Sequence, residues 1–393
     1  MKKLICLIIM AGVIAASLGT PVIAHAQPPW PSICQEGSLA SHDPQYPNDQ
    51  LILICIPPNW NGMLVMYAHG YMAEQFPLAL PATELFLSDG TFVPELILSQ
   101  GFAFATTSYH KNGYAVEQAQ KDLNALINHF KTLVPPGSLQ KVFLIGASEG
   151  GEIAVLMIEH FPDKYDGALA MCGPIGGASY QVQYMSDFRV LFDYFFPGVF
   201  SFGMADVPEN AFLNWPTYTQ MIAAALSSNR EATAQLYNVS GAALDPADSA
   251  SAISTAVSVL FYNIWGTNDL ITTAGGIPYD NRSTIYIGSL NDALLNAGVE
   301  RIQSDGRARA YLGRFYQPTG VLQRPLVTLH NTLDPVVPIK HELIYTNLAA
   351  STGSGSFLTA IPVPGYGHCN FTTQEILGAF SLLVQKVAAQ VEP

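Results

Sequence analysis

Residues 142–151 read Val-Phe-Leu-Ile-Gly-Ala-Ser-Glu-Gly-Gly, and the fold of the chain can be argued outward from this stretch. Its first four residues are apolar and favour extended backbone, which predicts a short buried strand. A sharp turn then carries Ser148 in the pattern Gly-x-Ser-x-Gly, and a helix is predicted from Glu152. A strand, a serine-bearing turn and a helix together make a nucleophile elbow, where flanking glycines let neighbouring backbone approach closely.

Taken alone, this pattern is a weak signal, because glycine and serine are common residues. An ordinary glycine-rich turn between a strand and a helix would look the same. The predicted strand and helix on either side favour the elbow. The rest of the chain must then supply the base and the acid that a reactive serine needs.

Length and composition narrow the class of protein. The 393 residues are enough for one large domain with an insertion or for two domains. Apolar residues make up 49% and charged residues only 12%, which excludes a disordered chain. The net charge is -13 and no basic cluster follows Lys2-Lys3, so nucleic acid is not expected as a partner and an anionic substrate is disfavoured.

The first 26 residues are typical of an export signal. Lys2 and Lys3 are followed by an apolar stretch, and Ala24-His25-Ala26 provides a small-x-small cleavage pattern. We therefore expect a mature chain that begins at Gln27 and is periplasmic or secreted. A retained membrane anchor is the alternative, but the apolar stretch is short for a spanning helix, so no stable anchor is expected.

Four cysteines remain after such cleavage. An even number in an exported protein predicts two disulfide bonds, for which three pairings exist. Cys34 and Cys55 flank an N-terminal loop and are expected to pair, which leaves Cys172 for Cys369. No Cys-x-x-Cys occurs and the histidines show no paired ligand spacing, so no metal site is predicted.

Strands and helices alternate in two separated parts of the chain, which indicates the α/β class with a mostly parallel central sheet flanked by helices. The predicted strands are Leu51–Pro57, Met63–Ala68, Gly101–Ser108, Lys141–Gly146, Asp166–Met171, Pro325–Leu329 and Phe357–Val363. The predicted helices of these parts are Val116–Leu133, Glu152–Phe161, Ile339–Ala350 and Thr373–Ala389. Residues 27–173 and 321–393 are therefore assigned to one catalytic domain, and residues 27–49 are expected to be irregular.

The block 174–320 interrupts this alternation and is interpreted as a largely helical lid or cap. Helical patterns occur at Tyr218–Ser228 and Ala250–Trp265. The segment from Phe188 to Phe202 contains six phenylalanines, with Trp215 and Trp265 further along. These rings are either an apolar wall over Ser148 or the core of the insertion itself, and the second reading is preferred.

The partners of Ser148 are sought at the ends of late strands, because ligands of such sheets bind at the carboxyl ends of the strands. Asp334 lies in a proline-rich turn after the strand that ends at Leu329, although a turn aspartate beside a proline is also common for structural reasons. His368 follows the next strand in a glycine-rich loop. The chain order serine, acid, histidine is the one expected after a nucleophile elbow.

An oxyanion hole needs two backbone N–H groups aimed at the developing negative charge. The residue after the nucleophile, Glu149, is expected to supply one. The turn Ala68-His-Gly-Tyr71 after an early strand is expected to supply the other, through the amide of Tyr71. The Tyr71 ring either lines the substrate pocket or packs at the edge of the domain.

With these residues in order, the chain resembles the α/β-hydrolase superfamily over the catalytic parts outside the cap. The resemblance implies a Ser148–His368–Asp334 acyl-transfer mechanism without a cofactor. His368-Cys369 is also similar to the end of the tannase and feruloyl esterase pattern, in which that cysteine is bridged to one just before the serine. Here Ala147 occupies that position, so Cys172 would have to be the partner.

The loop Asp334-Pro-Val-Val-Pro338 also resembles those of prolyl-oligopeptidase-type and dienelactone-type hydrolases. No β-propeller pattern precedes the catalytic residues, which argues against a prolyl oligopeptidase proper. The expected activity is that of an exported serine carboxylic-ester hydrolase on neutral, hydrophobic or aromatic esters, either small or polymeric. The alternatives are an exported serine peptidase or aminopeptidase, for which Glu149 is a candidate acidic group, and an inactive hydrolase fold used for binding.

Overall fold

The structure, a computed structural model, describes residues 30–390. The predicted signal peptide and its cleavage site therefore lie outside the described residues. Among residues 30–390, no helix is both long enough and apolar enough to cross a membrane.

Within residues 30–390 the centre of the molecule is an eight-stranded sheet. Its strands are β1 (Cys34–Leu39), β2 (Gln50–Cys55), β3 (Met63–Ala68), β4 (Ala103–Thr107), β5 (Lys141–Ala147), β6 (Gly167–Met171), β7 (Leu326–Leu333) and β8 (Leu358–Tyr366). They lie in the order β1-β2-β4-β3-β5-β6-β7-β8. β2 runs antiparallel to both of its neighbours, and the pairs from β4 to β8 are all parallel.

Helices cover both faces of this sheet because its central strands are apolar on both sides. The helices outside the segment between β6 and β7 are α1 (Val93–Ser99), α2 (Val116–Leu133), α3 (Glu149–His160), α10 (Lys340–Ser351) and α11 (Thr373–Ala389). Apolar residues of α2 and α3 belong to the core on one face. Those of α1 and α11 belong to the core on the other face.

The segment between β6 and β7 is helical. Residues 174–320, all of them described, contain α4 (Ala178–Phe195), α5 (Trp215–Ser228), α6 (Arg230–Ser240), α7 (Ser251–Ala274), α8 (Asp292–Gly298) and α9 (Gly306–Phe315). Its α4 packs against α6 and α7, and α5 packs against α7. The helical prediction at residues 250–265 was too short, because α7 continues for two more turns through a stretch that contains Gly266 and Asp269.

Several sequence predictions were wrong in the sheet region, and β7 and β8 end at Leu333 and Tyr366 rather than at Leu329 and Val363. Residues 27–49 were expected to be irregular, yet Cys34–Leu39 forms the edge strand β1. Four of its six residues are exposed and only Leu39 and Cys34 are apolar, so the strand shows no alternating pattern. The helix after Ser148 begins at Glu149 rather than Glu152, because Gly150 and Gly151 are part of its first turn.

Two disulfide bonds join Cys34 to Cys55 and Cys172 to Cys369, in the pairing that the sequence predicts. The first links the paired residues of β1 and β2. The second links the residue after β6 to the loop after β8. Disulfide bonds of this kind persist in oxidising compartments, which fits an extracellular or periplasmic protein.

Candidate active site

Ser148 occupies the turn between β5 and α3 in a strained backbone conformation. Its φ is 56°, a left-handed value that residues with a Cβ seldom adopt. The turn is anchored to the end of β6, since the Ser148 N–H donates to the Met171 carbonyl at 2.9 Å. A Cβ on Gly146 would overlap the Gly150 carbonyl, and one on Gly150 would overlap the Ala68 carbonyl. The glycines of the motif are therefore required by packing.

The imidazole of His368 lies between the serine and an acid. Its Nε2 is 2.8 Å from Ser148 Oγ, and its Nδ1 is 2.7 Å from Asp334 Oδ2. Because an ionised carboxylate only accepts hydrogen bonds, Nδ1 carries the proton and Nε2 is free to accept from the serine hydroxyl. The structure thus brings together the three residues predicted from the ends of β5, β7 and β8.

Asp334 is buried and its second oxygen is also satisfied. Oδ1 accepts from the N–H groups of Val336 and Val337 at 2.8 and 2.9 Å, which leaves Oδ2 for His368. The buried His330 is also near this carboxylate, with its Nε2 3.7 Å from Oδ2. That nitrogen is 2.8 Å from the Val337 carbonyl, so His330 holds the same loop rather than the carboxylate directly.

The loop that carries His368 is fastened to β7 by a residue that the sequence analysis missed. The Asn331 side chain accepts from the Asn370 N–H at 2.8 Å and donates to the Asn370 carbonyl at 3.1 Å. On the same loop, Cys369 is bonded to Cys172. No pattern in the sequence distinguishes Asn331 from any other polar residue at a strand end.

The two residues proposed for the oxyanion hole line the same cavity as Ser148. Glu149 is the first residue of α3, and no acceptor for its N–H is found among the described residues. The Tyr71 N–H is also free of partners there. The neighbouring Gly70 N–H is taken, since it donates to Glu84 Oε2 at 3.0 Å. Of these turn amides, Tyr71 rather than Gly70 is therefore available for a substrate oxygen.

Ser148 lines a cavity between the sheet and the helical segment 174–320. The cavity is lined by Tyr71, Tyr114, Ser148, Glu149, Glu152, Pro174, Ala178, Gln181, Val182, Met185, Tyr262, Val336 and Val337. Tyr71 is among these residues, and its ring packs edge-on against those of Tyr114 and Tyr262, which also line the cavity. The six phenylalanines between 188 and 202 are not in this lining, and neither are Trp215 and Trp265.

The reading of these phenylalanines as a wall over Ser148 is therefore wrong, and they belong to the core of the insertion. Phe188 and Phe192 are fully buried in that core. Phe200 and Phe202 cover the buried guanidinium of Arg189.

Glu149 and Glu152 are the acidic residues of the cavity, and Glu152 was not singled out from the sequence. Burial raises the pKa of Glu149 to about 8, with the negative charge of Asp269 adding to this and a hydrogen bond from the Ala115 N–H opposing it. Burial and the charge of Glu149 raise the pKa of Glu152 well above its usual value. The sequence signal that could have identified Glu152 is a carboxyl directly after two glycines in an otherwise apolar helix.

The described residues contain one grouping of potential metal ligands, formed by Cys172, His368 and Cys369. The two sulfur atoms are bonded to each other, so neither is a thiolate that could bind a metal ion.

The order of the strands decides the fold. An eight-stranded sheet with an antiparallel second strand, a serine elbow after β5, an acid after β7 and a histidine after β8 define one architecture. The chain has the α/β-hydrolase fold.

No family model matches the chain. It is 26% identical over 149 residues to an o-phthalyl amidase of Xanthobacter agilis, an alignment that spans 36% of this chain and 29% of the amidase. The chain thus matches less than a third of that relative.

Several solved structures are similar over most of the chain at low identity. Feruloyl esterase B from Aspergillus oryzae has a TM-score of 0.48 at 14% identity, covering 91% of this chain and 80% of that one. A Pyrococcus furiosus esterase has a TM-score of 0.46 at 12% identity, covering 91% and 90%. A proline iminopeptidase of Mycobacterium smegmatis has a TM-score of 0.44 at 11% identity, covering 91% and 100%.

Proposed function

We propose that this chain is an exported serine hydrolase that cleaves carboxylic esters with a hydrophobic or aromatic group. The observation that supports the proposal is the pair of short contacts made by His368, 2.8 Å to Ser148 Oγ and 2.7 Å to Asp334 Oδ2. Contacts of this length allow the imidazole to move a proton while the carboxylate keeps its orientation.

In the proposed reaction, Ser148 Oγ bonds to the ester carbonyl carbon as its proton passes to His368 Nε2. The amides of Tyr71 and Glu149 stabilise the oxyanion. Collapse of this intermediate breaks the bond to the alcohol oxygen, which receives the proton from Nε2. A water then gives a proton to Nε2 and attacks the acyl carbon, and breakage of the Oγ–carbon bond returns the proton to Ser148. Asp334 stabilises the imidazolium of His368 during both the formation and the hydrolysis of the acyl-enzyme.

Replacement of the nucleophile tests this mechanism. Ser148→Ala should lower kcat/KM on p-nitrophenyl butyrate by at least about a thousandfold, because the substitution removes the attacking atom. Ser138→Ala, at a half-buried serine that does not line the cavity, is the matched control. A fluorophosphonate should label the wild type and Ser138→Ala but not Ser148→Ala. Unchanged hydrolysis by a folded Ser148→Ala protein would exclude the mechanism, and absence of labelling in the wild type would favour an inactive binding protein.

A peptidase is the second candidate, since the same three residues cleave amides. Glu149 favours it, because its carboxyl lines the cavity beside the nucleophile, where a peptide terminus would need a polar group. The relative found by sequence is named an amidase, which is a further reason to test amides. Esters and p-nitroanilides of the same acyl groups separate the two activities by their kcat/KM values.

A further inference from the structure

The cavity beside Ser148 contains acidic groups that the proposed mechanism does not use. Glu149 and Glu152 lie in the first turn of α3 and line the cavity, with only 7% and 2% of their surfaces exposed. Glu149 Oε1 accepts from the Ala115 N–H at 3.2 Å, whereas its Oε2 has no partner among the described residues. Glu152 Oε1 and the Tyr71 hydroxyl are buried and unpartnered as well.

A third buried glutamate on the same helix shows what a purely structural carboxyl looks like. Glu159 accepts hydrogen bonds from the N–H and hydroxyl of Thr319, from the Gly320 N–H and from the Tyr345 hydroxyl. Both of its oxygens are thus satisfied, as is usual for buried polar groups. Among the three buried glutamates of α3, only the two that line the cavity have an unpartnered oxygen.

The charges around this pair favour a cation. Asp269 on α7 and Glu84 after β3 both act on Glu149 with negative charge. Lys111 is the nearby cation, but its ammonium is 2.9 Å from Asp269 and buried with it. Because Lys111 is paired with Asp269, the carboxyl groups of Glu149 and Glu152 remain available to a positive group that enters the cavity. An entering ammonium would take the place of the proton that burial keeps on the pair.

We propose that Glu149, Glu152 and the Tyr71 hydroxyl form a subsite for a protonated amine of the substrate. The inference rests on the proposed hydrolase function and narrows its substrate class. Glu149, Glu152 and Tyr71 line the same cavity with one unpartnered oxygen each, and a primary ammonium has three N–H donors. The apolar remainder of the lining, which includes Val182 and Met185, holds the hydrophobic part of the same molecule. A substrate that is apolar but carries one amine fits this cavity better than a fully neutral ester.

Matched esters test the subsite on the intact protein. Benzyl glycinate and benzyl propionate differ by an amine in place of a methyl group on the acyl side, and 2-aminoethyl benzoate and propyl benzoate differ in the same way on the alcohol side. The readout is the ratio of kcat/KM for the amine to that for its isostere. One of the two pairs should give a ratio of at least about ten in the wild type, since hydrogen bonds to charged groups are strong.

One carboxyl of the proposed subsite and one structural carboxyl outside it are replaced in turn. Glu152→Gln should lower that ratio by about tenfold or more, because it replaces a group able to ionise with a neutral one of the same shape. Glu159→Gln is the matched control on the same helix and should keep the wild-type ratio. Active sites are counted with a fluorophosphonate, so that misfolded protein does not enter the comparison.

The outcomes separate the two proposals. Ratios near one for both ester pairs, or an unchanged ratio in Glu152→Gln with active sites intact, would overturn the subsite and leave the hydrolase standing. A higher rate for the methyl isosteres would also overturn it. Failure of the wild type to label or to hydrolyse any of the four esters would instead count against the hydrolase itself.

Discussion

Cys172, the residue after β6, is bonded through sulfur to Cys369, the residue after His368. Both cysteines have left-handed backbone conformations, with φ of 48° and 51°. The bond spans 197 residues of sequence and ties the histidine loop to the sheet beside the elbow. It is therefore placed to hold the imidazole over Ser148 as well as to stabilise the fold.

We expect loss of this bond to reduce activity before the protein unfolds. The double variant Cys172→Ser, Cys369→Ser should lower kcat/KM by about tenfold or more at a temperature where circular dichroism still reports a folded protein, because small displacements of a catalytic group are costly. The bond should also contribute about 2–5 kcal/mol to the free energy of unfolding.

The second disulfide provides the control. Cys34→Ser, Cys55→Ser removes a bond at the far edge of the sheet and should lower Tm while kcat/KM stays within about twofold. Equal losses of kcat/KM in the two double variants would remove the positioning role. Free thiols at residues 172 and 369 in the oxidised protein would do the same.

The carboxylate of Asp334 is the next target. In Asp334→Asn, the amide oxygen can still accept from the Val336 and Val337 N–H groups, but the NH₂ then faces His368 Nδ1. The Nδ1 atom must then accept from this NH₂, so the proton of the neutral imidazole lies on Nε2, which faces Ser148. His368 can no longer take the proton of the serine hydroxyl. We expect kcat/KM to fall by about 10³–10⁴ with little change in Tm.

Another buried histidine–aspartate pair gives a matched control for this substitution. His110 Nδ1 lies 2.7 Å from Asp122 Oδ2, and neither residue lines the cavity that contains Ser148. Asp122→Asn should therefore lower Tm and leave kcat/KM unchanged. A similar loss of kcat/KM in both variants would mean that Asp334 acts only through stability.

The candidate catalytic residues could be found from the sequence because strand ends in a parallel sheet share one edge. Three of the apolar stretches ended at turns that carry Ser148, Asp334 and His368, so these candidates were identified without knowing how the strands are ordered. The same patterns located α2 and α11 at their full lengths, Val116–Leu133 and Thr373–Ala389.

Other features depend on long-range contacts and left no local pattern. The edge strand Cys34–Leu39 is mostly exposed and is recognised only by its pairing with β2. Which apolar groups face Ser148 depends on how the cap helices pack, so the phenylalanines of residues 188–202 and the actual lining residues, such as Met185, were indistinguishable in the sequence. The role of Asn331 arises from a contact with Asn370, 39 residues away.

Two glycine substitutions should change stability in opposite directions. A Cβ at Gly150 would overlap the backbone of Ala68 in β3, which cannot move aside as a flexible side chain can. Gly150→Ala should therefore destabilise the protein by about 1–3 kcal/mol or more and displace the elbow.

At Gly378, exposed on α11, a Cβ meets nothing within 4 Å. Gly378→Ala should stabilise the protein by about 0.5–1 kcal/mol. Denaturant titration measures both, and a loss of stability no larger in Gly150→Ala than in Gly378→Ala would contradict the close packing at the elbow.

The raised pKa of Glu149 predicts how stability depends on pH. Burial keeps the carboxyl protonated up to a pKa of about 8 in the folded protein, against an ordinary value of 4.5. Between these values the folded state binds more protons than the unfolded state, so this group makes the protein less stable as pH rises. Glu149→Gln keeps the acceptor for the Ala115 N–H and removes the titration.

We therefore expect Tm of the wild type to fall more steeply between pH 5 and 8 than Tm of Glu149→Gln. Because other titrating groups, including the buried His330 and His341, contribute equally to the pH dependence of Tm in both proteins, their contributions cancel in this comparison. Glu95→Gln, which makes the same change on the exposed surface of α1, is the control and should follow the wild type. Tm is measured by thermal unfolding at constant ionic strength. If the Glu149→Gln curve runs parallel to that of the wild type, the carboxyl is ionised throughout this range, and the cavity already balances its charge without an amine.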